Sequence, residues 1–201
     1  MPRPVSILFF VPYPVFNQFE VDEFAGFDKP RTSFLYRNLL LNQLEVVHGW
    51  EGKKKITVML HQFDVGAEGL EELQRFEDAE VIFYEAGNEG PILDELGEES
   101  LQNQELVVVV NPAVMGLTKA DYLDLVNFAD QEDEIVFITR SSNGWVSSVS
   151  FNYHEAAQKS VLSGIGDYWV KVLRSITQLE ARPLLTTSGL VIKNRKDFRS
   201  L

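Results

Sequence analysis

Lys29 and Arg31 are the first groups in this chain whose type and spacing suit a ligand. They share a segment with Asp22, Glu23 and Asp28. They therefore read as a clamp on phosphate oxygens, as partners of those acids, or as plainly solvated charges. Asn111-Pro112 follows the clearest apolar run and reads as a ligand-facing turn or as a purely structural one. Asn143-Gly144 is a hairpin-type turn signal. Trp145 offers either a stacking surface for a base or sugar, or a filler for the core or an interface. In His61-Gln-Phe-Asp64 an imidazole and a carboxylate could meet. His48, His61 and His154 form no His-x-x-x-His pair, which argues against a histidine metal site. With no cysteine there is neither a disulfide framework nor a thiolate site. Gly-x-Ser-x-Gly, a phosphate loop ending in Lys-Ser/Thr, and Gly-x-Gly-x-x-Gly are all missing.

The elements that must position these groups alternate. Val5–Val11, Ile56–Leu60, Val81–Tyr84, Leu106–Val110 and Ile135–Ile138 are continuous apolar runs and read as buried strands. Between them the spacing predicts helices over Ser33–His48, Gly66–Phe76 and Ile92–Gln102, and a fourth capped by Thr118 with Asp121 three residues on. That rhythm is βαβαβαβαβ, a mostly parallel sheet covered on both faces. After the turn at Ser141-Ser142-Asn143-Gly144, Trp145–Phe151 alternates as a half-exposed or antiparallel strand does. Helices near Tyr153–Leu162 and Asp167–Glu180, a short apolar stretch at Leu190–Ile192 and a last turn at Asn194–Leu201 complete the chain. In open α/β sheets ligands bind beyond the carboxyl ends of the strands. That rule singles out Pro12–Arg31, Asp64, Glu85–Gly90 and Asn111–Met115.

Composition narrows the classes. A chain of 201 residues with 45 % apolar content suits one domain, 1–201, with one sizeable core. The net charge of −12 repels phosphate backbones at long range and excludes a general nucleic-acid binder. The acids, among them Glu68, Glu71, Glu72, Glu98 and Glu99, read as a solvated surface. No stretch approaches the roughly 18 apolar residues of a membrane span, and the N-terminal run lacks a cleavage site, so the expected location is the cytoplasm. Phe16, Phe19, Val21, Phe24, Phe27 and Phe34 crowd one segment, as in a lid, a homodimer surface or a partner-docking surface.

Taken in order, the strand-end motifs resemble a family of small bacterial proteins of glycosyltransferase-A fold known as DUF2064, relatives of the nucleotide-diphospho-sugar transferases and nucleotidyltransferases. Gly26-Phe-Asp-Lys29-Pro-Arg31 stands where the family has a glycine followed by Lys-Thr-Arg. Val110-Asn111-Pro112-Ala113, with Leu117-Thr118 behind it, stands for Asp-Ser-Pro-Asp and a Leu-Thr helix start. Ser142-Asn143-Gly144-Trp145 stands for Asp-Gly-Gly-Tyr, and Val191-Ile-Lys193-Asn194 for the closing Asp-Val-Asp-Thr. Leu162-Ser-Gly164-Ile165 followed by a helix also fits.

The resemblance implies a three-layer α/β/α sandwich with a Rossmann-like sheet. It implies a nucleotide or nucleotide sugar held by Lys29, Arg31, Asn111, Asn143 and Lys193. In such transfers Mg²⁺ or Mn²⁺, held by strand-end carboxylates, neutralises the phosphates. Here the family acids fall on Val110, Ala113, Ser142, Val191 and Lys193. The basic half of the site is kept and the metal-binding half is lost. Lys193 could place an ammonium where the ion would sit. The expectation is a transferase-like protein with a degenerate metal site and weak or no catalysis, using Mg²⁺ or Mn²⁺ only if the family activity is retained. Two alternatives stand beside it: a non-catalytic scaffold docking a protein through the aromatic segment, and a different doubly wound enzyme built on Asp64 and Glu85.

Overall fold

The computed structural model describes residues 3–20, 23, 27–129, 135–152, 165, 168–176 and 182–192. Seven strands form one sheet in the order β3-β2-β1-β4-β7-β6-β8. They are β1 (Val5–Phe10), β2 (Lys54–His61), β3 (Ala79–Tyr84), β4 (Leu106–Val110), β6 (Ile135–Arg140), β7 (Val146–Phe151) and β8 (Arg182–Thr187). A two-stranded ribbon joins β5 (Val114–Met115) to β9 (Leu190–Val191). All pairings in the large sheet are parallel except those of β7 with β4 and β6. The helices are α1 (Lys29–His48), α2 (Glu89–Gln102), α3 (Lys119–Ala129) and α4 (Trp169–Ile176).

The apolar runs are strands because the sheet buries both of their faces. Ile7 and Phe9 of β1 and Val108 and Val110 of β4 enter one core with Leu40 and Leu44 of α1 and Leu125 of α3. Leu8, Phe10, Val107 and Val109 enter a second core, under Leu93 of α2 and Val172 of α4. Helices thus cover both faces, giving the expected three layers.

Several elements depart from expectation. α1 begins four residues early, because Asp28 caps it by accepting from Arg31 N–H at 3.0 Å and Pro30 suits the first turn. The segment expected as a helix over Gly66–Phe76 holds a 3-10 helix at Leu70–Arg75, and a shorter 3-10 turn at Gln62–Asp64 precedes it. Gly66 and Gly69 there adopt φ of +71° and +89°, which interrupts a right-handed helix. β7 is antiparallel as expected, but it is buried along its whole length and not half-exposed. Two of its three buried serines donate to the main chain, Ser147 Oγ to Thr139 O at 3.0 Å and Ser150 Oγ to Leu125 O at 3.1 Å, whereas Ser148 Oγ finds no partner among the described residues. β8 was not foreseen, since Pro183 weakens it as a strand; an edge position tolerates the proline. The helix expected near Tyr153–Leu162 and the turn at Asn194–Leu201 lie outside the described residues.

Candidate functional site

From β1 the chain builds outward through β2 to β3, and from β4 it builds the other way. The strand order therefore reverses between β1 and β4, and the crevice beyond their carboxyl ends is where such sheets receive ligands. Two segments flank it: residues 11–17 after β1 and residues 111–113 after β4.

The first flank is locked from below. Asp64, wholly buried, accepts from the main-chain N–H of Val15 at 3.1 Å, Phe16 at 2.8 Å and Asn17 at 2.8 Å. Consecutive amides converging on one carboxylate form the kind of concavity that binds anions. Here the anion is the protein's own. Ser33 Oγ donates to Val15 O at 2.6 Å, Asn17 Nδ2 to Phe63 O at 2.8 Å, and Tyr84 Oη to Val11 O at 2.6 Å. Tyr13 packs its ring 4.3 Å from that of Tyr36, and its buried hydroxyl has no partner among the described residues. Burial, reinforced by Tyr36 and Tyr84, pushes its phenol well above the usual tyrosine range, so Tyr13 is a neutral donor at the rim of the crevice.

The residues singled out from sequence take different places. Lys29 and Arg31 lie in the first turn of α1 and not in a loop. Lys29 Nζ donates to Phe19 O at 2.9 Å, and the largely exposed Arg31 stands 4.0 Å from Asp28. The carboxylate that the positive end of the helix favours is supplied by the N-cap residue Asp28. Asn111 sits at the switch point, but its side chain folds back and accepts from Ala113 N–H at 3.0 Å. Asn143 ties the β6–β7 turn to the ribbon, donating to Val191 O at 2.8 Å. Lys193 lies outside the described residues. His61 and Asp64 do not work as a pair: His61 Nδ1 accepts from Phe63 N–H at 3.2 Å, while Asp64 is taken up by the amides. Glu85 is exposed at the end of β3. Trp145 is partly buried against the first core, and its indole meets Tyr168 edge-on at 5.8 Å. Of the aromatic segment, Phe16 is core, whereas Phe19 and Phe34 are 74 % and 60 % exposed.

Sequence reading also missed what Asp64 does. The signal for it is faint: a short acid after a buried strand, with no cation nearby in sequence.

A cavity of about 440 Å³ opens between α1 and the segment after β2, lined in part by Phe16, Ser33, Arg37, Glu68 and Glu72. Arg37 is engaged by Glu72 at 3.6 Å. The lining is net acidic and includes none of the five predicted site residues, so it does not suit phosphate.

A divalent ion needs several free oxygen ligands. At the described rim, Asn111 Oδ1 and both oxygens of Asp64 are already bonded to main-chain amides. Among the described residues no three His, Asp or Glu side chains converge as an ion would require. The residues described here do not compose a site for Mg²⁺ or Mn²⁺.

This fold, a mostly parallel seven-stranded sheet with helices on both faces, is that of the nucleotide-diphospho-sugar transferases and nucleotidyltransferases of glycosyltransferase-A type. A Desulfovibrio desulfuricans protein provisionally assigned as a nucleotide-diphospho-sugar transferase superimposes with a TM-score of 0.63 at 12 % identity, over 90 % of this chain and 79 % of that one. A 4-diphosphocytidyl-2C-methyl-D-erythritol synthase matches with a TM-score of 0.59 at 14 % identity, over 98 % and 97 % of the two chains. Rv0371c from Mycobacterium tuberculosis, in complex with manganese, matches at 0.56 with 13 % identity, over 99 % and 97 %. No protein-family model and no curated protein matches the chain in sequence. Identities this low establish the fold alone. No helix among the described residues is long and apolar enough to cross a membrane.

Proposed function

We propose that this chain is a cytoplasmic, single-domain relative of the nucleotide-diphospho-sugar transferases, of DUF2064 type over 1–201, that binds a nucleotide or nucleotide sugar at the β1–β4 switch point with little or no metal-dependent catalysis. The observation that carries this reading is the placement of two cations, Lys29 and Arg31, in the first turn of α1, the helix that follows β1. Their charges favour an anion there, in competition with the N-cap carboxylate of Asp28. Lys193 and Asn143 are proposed to complete the grip, since Asn143 is bonded to Val191, two residues before Lys193. The loss of metal-dependent turnover is supported by the engagement of Asp64 and Asn111 with main-chain amides.

Titration calorimetry with UDP, GDP and CTP, with and without Mg²⁺ or Mn²⁺, tests the reading. Weak, metal-independent binding is expected, abolished in a Lys29→Ala/Arg31→Ala double variant. Tight Mn²⁺-dependent binding would refute the degenerate site.

A second reading rests on Phe19, in the segment after β1, and Phe34, on α1, both of which expose large apolar rings. In that reading the fold is a scaffold that docks a protein partner or a second copy. It predicts that the double variant binds nucleotides no differently from the parent, and that Phe19→Ser/Phe34→Ser abolishes self-association or partner capture.

A further inference from the structure

The two edges of the large sheet, β3 and β8, are built differently. β8 carries Pro183, which has no N–H to offer an incoming strand. β3 has no proline, and its parallel register with β2 runs unbroken from Ala79 to Tyr84. Natural edges are blunted by prolines, bulges or charge, because a straight row of unpaired N–H and C=O groups accepts another strand. β3 keeps such a row. Among the described residues it is paired with β2 alone, and its one further main-chain hydrogen bond runs from Ala79 N–H to Phe76 O at 2.9 Å.

Side chains alternate across β3. Ala79 and Val81 pack against the core under α1, and Ile82 and Tyr84 against the core under α2. Phe83 falls in the first set but is 36 % exposed. With Leu70, Leu73, Phe76 and Val81 it lines a cavity of about 420 Å³ between β3 and the 3-10 helix at Leu70–Arg75. A strand laid beside β3 would alternate in the same way, so every second side chain would fall on the cavity side.

The charge around β3 says what those side chains are. Glu80, on the face opposite the cavity, lies 3.8 Å from Lys55, and Glu99 of α2 lies 3.3 Å from the same ammonium. Two acids thus share one cation. Glu77 and Glu85, at either end of the strand, are exposed, and Arg75 is taken by Glu45 at 2.7 Å. A second copy of this chain would bring the same acids to the same edge, whereas Lys or Arg would neutralise them.

We propose that the β3 edge and the cavity beside it receive an extended segment of a partner protein, added to the sheet as a further strand, with apolar residues at alternate positions and Lys or Arg between them. The main chain of β3 holds the segment, the cavity selects its apolar side chains, and Glu80 and Glu99 select the basic ones on the other face. The surface lies two strands out from β4's neighbour β1 and includes none of Lys29, Arg31, Phe19 and Phe34, so it stands whether or not the crevice binds nucleotide.

Fluorescence anisotropy with a labelled, end-blocked peptide Lys-Val-Lys-Val-Lys-Val-Lys tests it. Saturable binding is expected, weakening as salt rises, and the same peptide with Glu for Lys should bind about 10-fold or more weakly. N-methylation of the valines removes the N–H groups of one peptide edge, and N-methylation of the lysines those of the other. One of the two forms should lose binding, since only one edge meets β3. Amides of β3 should gain hydrogen-exchange protection when the parent peptide is added. Phe83→Ser should weaken binding about 5-fold or more. Glu77→Lys/Glu80→Lys should reverse the preference between the Lys and Glu peptides, which a merely structural role for these acids would not do. Thermal melts confirm that each variant is folded, and where one is not, the peptide series on the parent protein decides the question. Equal binding of the Lys and Glu peptides, full binding of both N-methylated forms, or unprotected β3 amides overturns the proposal. So does a dimer in sedimentation velocity that Phe83→Ser dissolves, because the occupant would then be a second copy.

Discussion

Replacing Asp64 with alanine removes one wholly buried carboxylate and strands the main-chain N–H groups of Val15, Phe16 and Asn17. A buried donor left without a partner costs about 1–3 kcal/mol. Three would cost up to about 9 kcal/mol if nothing relaxed. The loop does not stay rigid: Asn17 is only part-buried and can turn to water, whereas Phe16 is 4 % exposed and cannot. The realistic loss is therefore about 3 kcal/mol, a large share of the 5–15 kcal/mol that stabilises a typical domain. For a chain of this length, that loss lowers Tm by about 6–12 °C.

Urea denaturation read by circular dichroism, with the linear-extrapolation slope checked for constancy, measures it. Asp64→Asn should cost less than Asp64→Ala, because one oxygen still accepts while the new NH₂ faces an N–H. Formate, a carboxylate small enough for the vacancy, should recover part of the alanine variant's loss and leave the parent unchanged. A loss below about 1 kcal/mol, with no response to formate, would refute the claim that this carboxylate organises the first loop.

Two further outcomes follow from polar side chains away from the crevice. Burial works against the Asp78 carboxylate, but His48 at 2.7 Å and Lys54 at 3.4 Å outweigh it and hold its pKa below 3.8. For Asp121, burial is likewise overcome, by hydrogen bonds from Ser188 and from the side chain and main chain of Thr118. Both folded pKa values lie below the unfolded ones, so the stability they supply is present above 3.8 and drains as pH falls through the folded values. Thermal melts should be insensitive to these groups from about pH 7 to pH 5 and fall steeply below about pH 4, with a shallower fall in Asp121→Asn. An unchanged acid limb in that variant would count against the assignment. Thr57, fully buried on β2, has a hydroxyl with no partner among the described residues. Thr57→Val keeps the shape and should raise stability by up to about 1 kcal/mol in urea denaturation, whereas a loss would mean that the hydroxyl has a partner.

The alternating order of strands and helices was legible in the chain itself, because a strand covered on both faces is mostly apolar along its length. Val5–Val11, with Ser6 its one polar residue, and Leu106–Val110 carry that signal. The cap at Thr118 and Asp121 was equally local: donor and acceptor lie three residues apart, and Thr118 N–H meets Asp121 Oδ2 at 2.7 Å. Two strands were misjudged because their signals depend on neighbours. Ser147 and Ser150 of β7 look solvent-facing until the carbonyls of Thr139 and Leu125 are there to accept them, and Pro183 looks disruptive until β8 is known to be an edge. The candidate site was less legible still. Lys29, Arg31, Asn111 and Asn143 could be named from motif order, but their hydrogen-bond partners lie as far as 48 residues away. Asp64 reaches amides 47 to 49 residues earlier. Periodicity along a chain records only which face of an element is buried. Which side chain ends opposite which backbone group is decided when the strands choose their order, and here that order reverses between β1 and β4.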